Sequence, residues 1–257
     1  MKIALSIDWD YFVPVSSAWD MHFHEDAGIS FGDMMWGVRA TGAMMQGKDL
    51  KEMIKVTTEP WEFLEILEEK NITIADNAQL FIMDSHRFGY ESLRKSKYDL
   101  VINMDSHHDI FYNNGFNEIS CENWLGHLLG EGSVKNVHQI YPSEERRKQD
   151  GKPKFGYASL NPKRYKTTCG LGSLPENIEL SAIVLCKSGV WTPPWTDKEF
   201  TSLMLPLMKM FTDVRAYEFK EFMDYGHTNL IREFTLPEPE NLEAMKKLIR
   251  HNVGNLV

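Results

Sequence analysis

The stretch Val101–Ile110, VINMDSHHDI, closes an apolar run with Asp105, His107, His108 and Asp109 inside five positions. Two other apolar runs end in the same residue types. ALSIDWDYF brings Asp8 and Asp10, and LFIMDSHRF brings Asp84 and His86. Side chains at i and i+2 share a face of an extended chain, so Asp8 points with Asp10, and Asp105 with His107 and Asp109. His108 faces the other way unless the strand has already turned. Four carboxylates at neighbouring strand tips cannot all stay ionised without a compensating cation. Two divalent ions supply the balancing charge, and carboxylates with imidazoles and no thiolate favour Mn²⁺ or Fe²⁺ over a structural zinc. Two ions about 3.5–4 Å apart can share a water and lower its pKa toward neutrality. Asp8, Asp10, His86, Asp105, His107 and Asp109 are therefore nominated as ligands of two divalent ions. Taken singly, each motif has a plainer reading, since aspartate is common in turns after strands.

Such ligands need strand ends to hold them. Short apolar runs at 2–7, 78–83, 98–104, 137–141, 180–186 and 213–219 have the low alternation of strands covered on both faces. Helical patterns lie between them at 59–70, 121–130, 197–211 and 239–251, with Pro60 in a first turn and Pro206 expected to bend the third. Strand-then-helix alternation predicts an α/β fold, a three-layer αβα sandwich with a mostly parallel sheet, as one domain over 1–257. In such folds ligands bind beyond the carboxyl ends of the strands, where the three motifs fall. The polar stretches 144–168 and 187–197 read as loops. The first is a local basic patch, a solvated excursion or a contact for an acidic partner.

The bulk properties narrow the partners. A net charge of −9 makes the chain a poor candidate for sequence-blind nucleic-acid binding, where basic patches dominate, so no nucleic-acid partner is expected, and it suits a cationic small molecule or peptide better. Three cysteines, Cys121, Cys169 and Cys186, with no paired spacing read as reduced thiols. The apolar run at the N-terminus meets Asp8 too soon for a signal peptide or a membrane span, so a cytoplasmic protein without a membrane partner is expected.

The three motifs together carry a resemblance. Asp105, His107 and Asp109 resemble the central D-x-H-x-D motif of the arginase–deacetylase (ureohydrolase) superfamily. MDSHRF resembles its G-G-D-H strand end, with His86 in the ligand position, and SIDWDYF resembles its S-x-D-x-D motif. The order is permuted, because in arginases the D-x-D comes last. The arrangement IDWDYF, DSH, NMDSHHDI and ENW is similar to the UPF0489 family, and to peptide arginases that mature ribosomally made peptides by converting arginine residues to ornithine. The resemblance implies an arginase-like fold and a hydrolase acting on linear amidines. It implies one manganese on His86, Asp105, Asp109 and Asp8, and a second on His107, Asp105, Asp8 and Asp10, with Asp105 and Asp8 bridging. A metal-bridging hydroxide would attack the guanidinium carbon of an arginine-containing peptide, releasing urea and an amine that needs a proton. ISCENWLGHLL resembles the family's substrate loop. His127 and His108 are candidate proton shuttles, and Asn123 a candidate for orienting substrate. Packing or capping explains His127 as well, and Trp124 is more often core than site.

A guanidinium also calls for a carboxylate partner, best bidentate. Glu25, Glu59, Glu118 and Glu122 are the candidates, with Glu59 equally readable as a helix cap. His22, His24 and His227 are loop histidines with no assigned partner, and SGVWTPPW (188–195) is a rigid aromatic segment that forms either a substrate wall or a core cover. Three other readings stay open. One is a single-zinc amide hydrolase of the deacetylase type, with His86 as base. Another is a ureohydrolase of free arginine or agmatine. The last is a non-catalytic Ca²⁺ or Mg²⁺ module.

Overall fold

A computed structural model describes residues 1–15, 29–112, 118–155 and 160–217. Its seven strands are β1 (Ile3–Asp8), β2 (Ile72–Met83), β3 (Leu100–Met104), β4 (Val137–Tyr141), β5 (Tyr165–Cys169), β6 (Ile178–Cys186) and β7 (Asp213–Tyr217). They form one sheet in the order β5-β4-β3-β1-β6-β2-β7, with every pairing parallel. The seven helices are α1 (Ile29–Met44), α2 (Leu50–Met53), α3 (Pro60–Glu69), α4 (Phe88–Leu93), α5 (Trp124–Glu131), α6 (Glu144–Asp150) and α7 (Asp197–Met210). The expected three-layer α/β architecture is present.

Alternation along β1 divides the core. Ile3, Leu5 and Ile7 face a layer built from Trp36 and Ala40 of α1, Phe63 and Leu67 of α3, and Phe200, Leu203 and Leu207 of α7. The i, i+3, i+4 and i+7 spacings put these side chains on one helix face each. Ala4 faces the opposite layer, with Tyr90 and Leu93 of α4 and Trp124, Leu125 and Leu128 of α5. β1, β3, β4 and the later parts of β2 and β6 bury both faces, which accounts for their apolar runs, whereas the edge strands β5 and β7 have no fully buried residue.

The register sets the rim on which the site stands. Ile7 pairs with Met104 and Asp8 with Cys186, while Cys186 also pairs with Met83. Asp105 therefore leaves β3 level with Asp8 on β1, and Asp84 follows one residue beyond the level of Met83 on β2.

Several expectations change in detail. The stretch 144–168 is not a continuous loop: Ser143 caps α6 by accepting from the Arg146 N–H at 3.1 Å, and Tyr165–Cys169 is an edge strand. Residues 187–197 give way to a short 3-10 turn at Pro194–Thr196 and the start of α7. α7 runs through Pro206 as one helix. Residues 218–219 of the last expected strand and the helical pattern at 239–251 lie outside the described residues, as do His22, His24, Glu25 and His227. Among the described residues no helix is long and apolar enough to cross a membrane.

Candidate metal centre

Three carboxylate oxygens converge on one imidazole nitrogen. His86 Nδ1 lies 3.1 Å from Asp8 Oδ2, 3.1 Å from Asp105 Oδ2 and 3.0 Å from Asp109 Oδ2. Beside it, His107 Nδ1 lies 2.9 Å from Asp10 Oδ2 and 3.5 Å from Asp105 Oδ1. Asp105 thus gives one oxygen to each histidine and joins the two centres.

Neighbouring loops aim these donors. Asp8 Oδ1 accepts the Asp10 N–H at 3.0 Å, which turns the chain out of β1, while Ser188 donates to Asp8 Oδ2 at 2.6 Å. Ser188 itself sits at φ 49°, a strained region for a residue with a side chain. Asp105 Oδ1 accepts from the His107 N–H at 2.7 Å, and its Oδ2 from Asn103 Nδ2 at 3.3 Å. Asp109, at φ 49°, is held by α5: its carbonyl accepts the N–H groups of Leu125 and Gly126, each at 3.1 Å, and Trp124 Nε1 donates to its Oδ2 at 2.7 Å. The approach at Gly126 is so close that a Cβ there would fall 2.1 Å from the Ile110 carbonyl oxygen.

The donor set fits divalent cations. A single Nδ1–H satisfies one acceptor, yet His86 faces three. In an octahedral shell with bonds of about 2.1 Å, adjacent donors lie about 3.0 Å apart, which is the spacing around His86. The other nitrogen of His86 meets Ser6 Oγ at 2.8 Å, a partner of the kind that fixes the tautomer of a metal-binding imidazole. Two overlapping groups, His86 with Asp105 and Asp109, and His107 with Asp10 and Asp105, each have donor atoms within 4.8 Å of one another. Cys186 adds a thiol within the same distance of Asp8 and His86, but its Sγ is turned to Ser188 Oγ, 3.2 Å away.

Electrostatics point the same way. Burial, then the charges of Asp10 and Asp105, push the Asp8 carboxyl up to about 7. Burial and the neighbouring Asp105 raise Asp109 well above the carboxylate range. Burial opposes a charged Asp105 too, but hydrogen bonds from His107 and His86 overcome it and hold that carboxyl below its usual value. Burial likewise opposes a charged His86, and the surrounding Asp105, Asp109 and Asp8 outweigh it. An acidic cluster that can ionise only in part lacks positive charge.

The remaining nominated residues fall in different places. His108 is buried off the cavity, its ring 3.9 Å from that of Tyr112 and its Nδ1 accepting the Ile110 N–H at 3.1 Å. Burial lowers its pKa to about 3. His127 lies on α5 between Tyr90 and Phe111, and does not line the cavity beside Asp8, His86, His107 and Asp109. Asn123 precedes α5 and its side chain ties the turn before it, accepting the Ser120 N–H at 2.9 Å and donating to the Glu118 carbonyl at 3.0 Å, with no hydrogen bond to the helix N-terminus. Glu59 is exposed at the start of α3, where its N–H donates to Glu62, so the structure places it at a helix cap and away from the cavity. Glu122 does line the cavity.

That cavity, about 260 Å³, is bounded by Asp8, His86, His107 and Asp109 on one side and by Tyr112, Glu122, Arg146, Asp150 and Trp191 on the other. A wider groove of about 760 Å³ shares His107, Arg146, Gln149 and Trp191 with it. Trp191 thereby forms a wall, its ring 5.0 Å from that of His107, while Trp195 packs inward and donates to the Ile54 carbonyl at 3.1 Å. Arg146 donates to His107 Nε2 at 2.6 Å, which places the ring proton on Nδ1. A cation at Nδ1 moves that proton to Nε2, and Arg146 then needs another acceptor.

Sequence reasoning missed Ser188, Arg146, Asp150 and Tyr112. For the α6 residues a signal existed: a Ser cap, two acids, then basic residues and Gly151, the ordered start and stop of a helix. Comparison with family models, curated proteins and solved structures gives no match to this chain.

Proposed function

We propose that the chain is a two-metal hydrolase of the arginase type, cleaving the guanidino group of arginine residues in a peptide to ornithine and urea. The observation that carries this reading is Asp105, whose two oxygens serve two adjacent histidine–carboxylate centres. Two manganese ions, when bound, neutralise the carboxylates and make water acidic enough to supply a nucleophile near neutral pH. Asp8, His86, Asp105 and Asp109 would hold one, and Asp10, His107 and Asp105 the other. Ser6, Ser188 and Trp124 orient three of these ligands through the other ring nitrogen or a carboxylate oxygen. The cavity's size, just below the roughly 300–1,000 Å³ of ordinary ligand pockets, suits one planar side-chain head. The adjoining groove supports a substrate longer than one amino acid. Glu122 is a carboxyl within the cavity able to pass a proton to the leaving amine.

The test is a urea assay on Mn²⁺-loaded protein with free arginine and, separately, an arginine-containing peptide. A peptide mass loss of about 42 Da per arginine, with urea, is expected from hydrolysis by this chemistry. Urea from free arginine alone would overturn the peptide assignment. No urea from any guanidino compound would overturn the reaction.

A further inference from the structure

We propose that Asp150 is the carboxylate that receives the cationic head of the substrate, and that Tyr112 and Tyr141 position it. This rests on the reading of the cavity as a guanidino-substrate site.

Asp150 ends α6 and lines the same cavity as His86, His107 and Asp109. Each of its oxygens accepts one hydroxyl: Tyr112 donates to Oδ1 at 2.6 Å and Tyr141 to Oδ2 at 2.8 Å. These donors come from the metal-ligand loop and from the end of β4, so the carboxylate is fixed from two directions. A carboxylate has about four lone-pair sites. The tyrosines use one per oxygen, and each oxygen keeps a further site, the paired arrangement that a planar fork of N–H groups matches. Among the described residues no cation lies within ion-pair distance of Asp150, although burial penalises its charge. A partly buried carboxylate fixed by two neutral donors beside a cavity is a receptor for a cation from outside the chain.

The experiment compares wild type with Asp150→Asn, both loaded with manganese, on an arginine peptide and on the same peptide carrying citrulline, the neutral isostere. KM for the arginine peptide is expected to rise on the order of 10- to 100-fold, the worth of a hydrogen bond to a charged group. kcat and the affinity of the citrulline peptide should stay within about threefold, with manganese content unchanged. An unchanged KM, or equal weakening of both peptides, would overturn the proposal, because a merely structural Asp150 does not distinguish charge. If wild type makes no urea, the hydrolase reading fails and calorimetric binding decides the matter. A preference for arginine over citrulline peptide that Asp150→Asn abolishes upholds the anchor, and any other binding result removes it.

Discussion

If the centre holds two divalent ions, removing them leaves its carboxylates to their own repulsion, and Asp8 sets the scale of the resulting destabilisation. Burial and the charges of Asp10 and Asp105 raise its carboxyl from 3.8 to about 7. A carboxyl whose folded pKa lies above its unfolded one favours the fold fully below the unfolded value. That contribution is lost as pH rises through the folded value. At 1.36 kcal/mol per pKa unit, Asp8 alone costs the metal-free fold on the order of 4 kcal/mol between about pH 4 and pH 7. His86 and Asp109, both raised, push in the same direction as they lose protons. Asp105 is lowered, so its favourable contribution is already complete above the carboxylate range and adds no slope. For a fold of this size the Asp8 effect is worth roughly 10 °C in Tm. Manganese should reverse the trend, because its ligands must be deprotonated and its binding releases protons. The assay is calorimetry of chelator-treated and Mn²⁺-loaded protein from pH 5 to 8, with proton release read from buffers of different ionisation enthalpy. His108, lowered by burial to about 3, acts in the opposite sense up to pH 6.5 but equally with and without metal. The readout is therefore the Tm difference between loaded and metal-free protein, and a difference that does not widen from pH 5 to 8 would refute the idea that these carboxylates compete for too little positive charge.

Two substitutions on α5 test how the ligands are held. Trp124→Phe removes the donor to Asp109 Oδ2 and should weaken manganese binding roughly 10- to 100-fold, the usual cost of losing a ligand-orienting hydrogen bond, as read by competition with a chromogenic chelator. Gly126→Ala forces a Cβ against the Ile110 carbonyl and should cost at least about 2 kcal/mol by denaturant titration while lowering bound manganese below two per chain. A fully stable, fully loaded Ala variant would show that Asp109 does not depend on this helix contact.

The clustering of the six nominated residues was legible because type and position reinforced each other. Asp8, His86 and Asp105 each follow an apolar run, and a run that must be buried on both faces ends where the sheet ends. Spacing on an extended chain paired Asp8 with Asp10 and Asp105 with His107 and Asp109, but the chain turns after Asp8 and after Met104, so Asp8 and Asp109 meet at His86 while Asp10 meets His107. Spacing could not assign Asp105 one oxygen to each centre, since that depends on the turn after β3 rather than on the extended chain. His108 shows the same limit. Its neighbours titrate in the cavity, while its own ring is turned into the protein against Tyr112.

The features that escaped sequence reading depend on register and on helices without an apolar face. β6 lies between β1 and β2, and it brings Cys186 level with Asp8 and Ser188 onto its carboxylate. Nothing in SGVWTPPW announces that placement, because sheet order is a property of distant pairings. α6 has no buried residue, so its pattern offers no hydrophobic stripe to detect. Yet Arg146 and Asp150, four positions apart on one side of it, both line the cavity. A helix that lines a cavity without burying a residue hides from a search for core-forming periodicity. Its chemistry appears only when the β4 end and the ligand loop close around it, with Tyr141 and Tyr112 on the two oxygens of one aspartate.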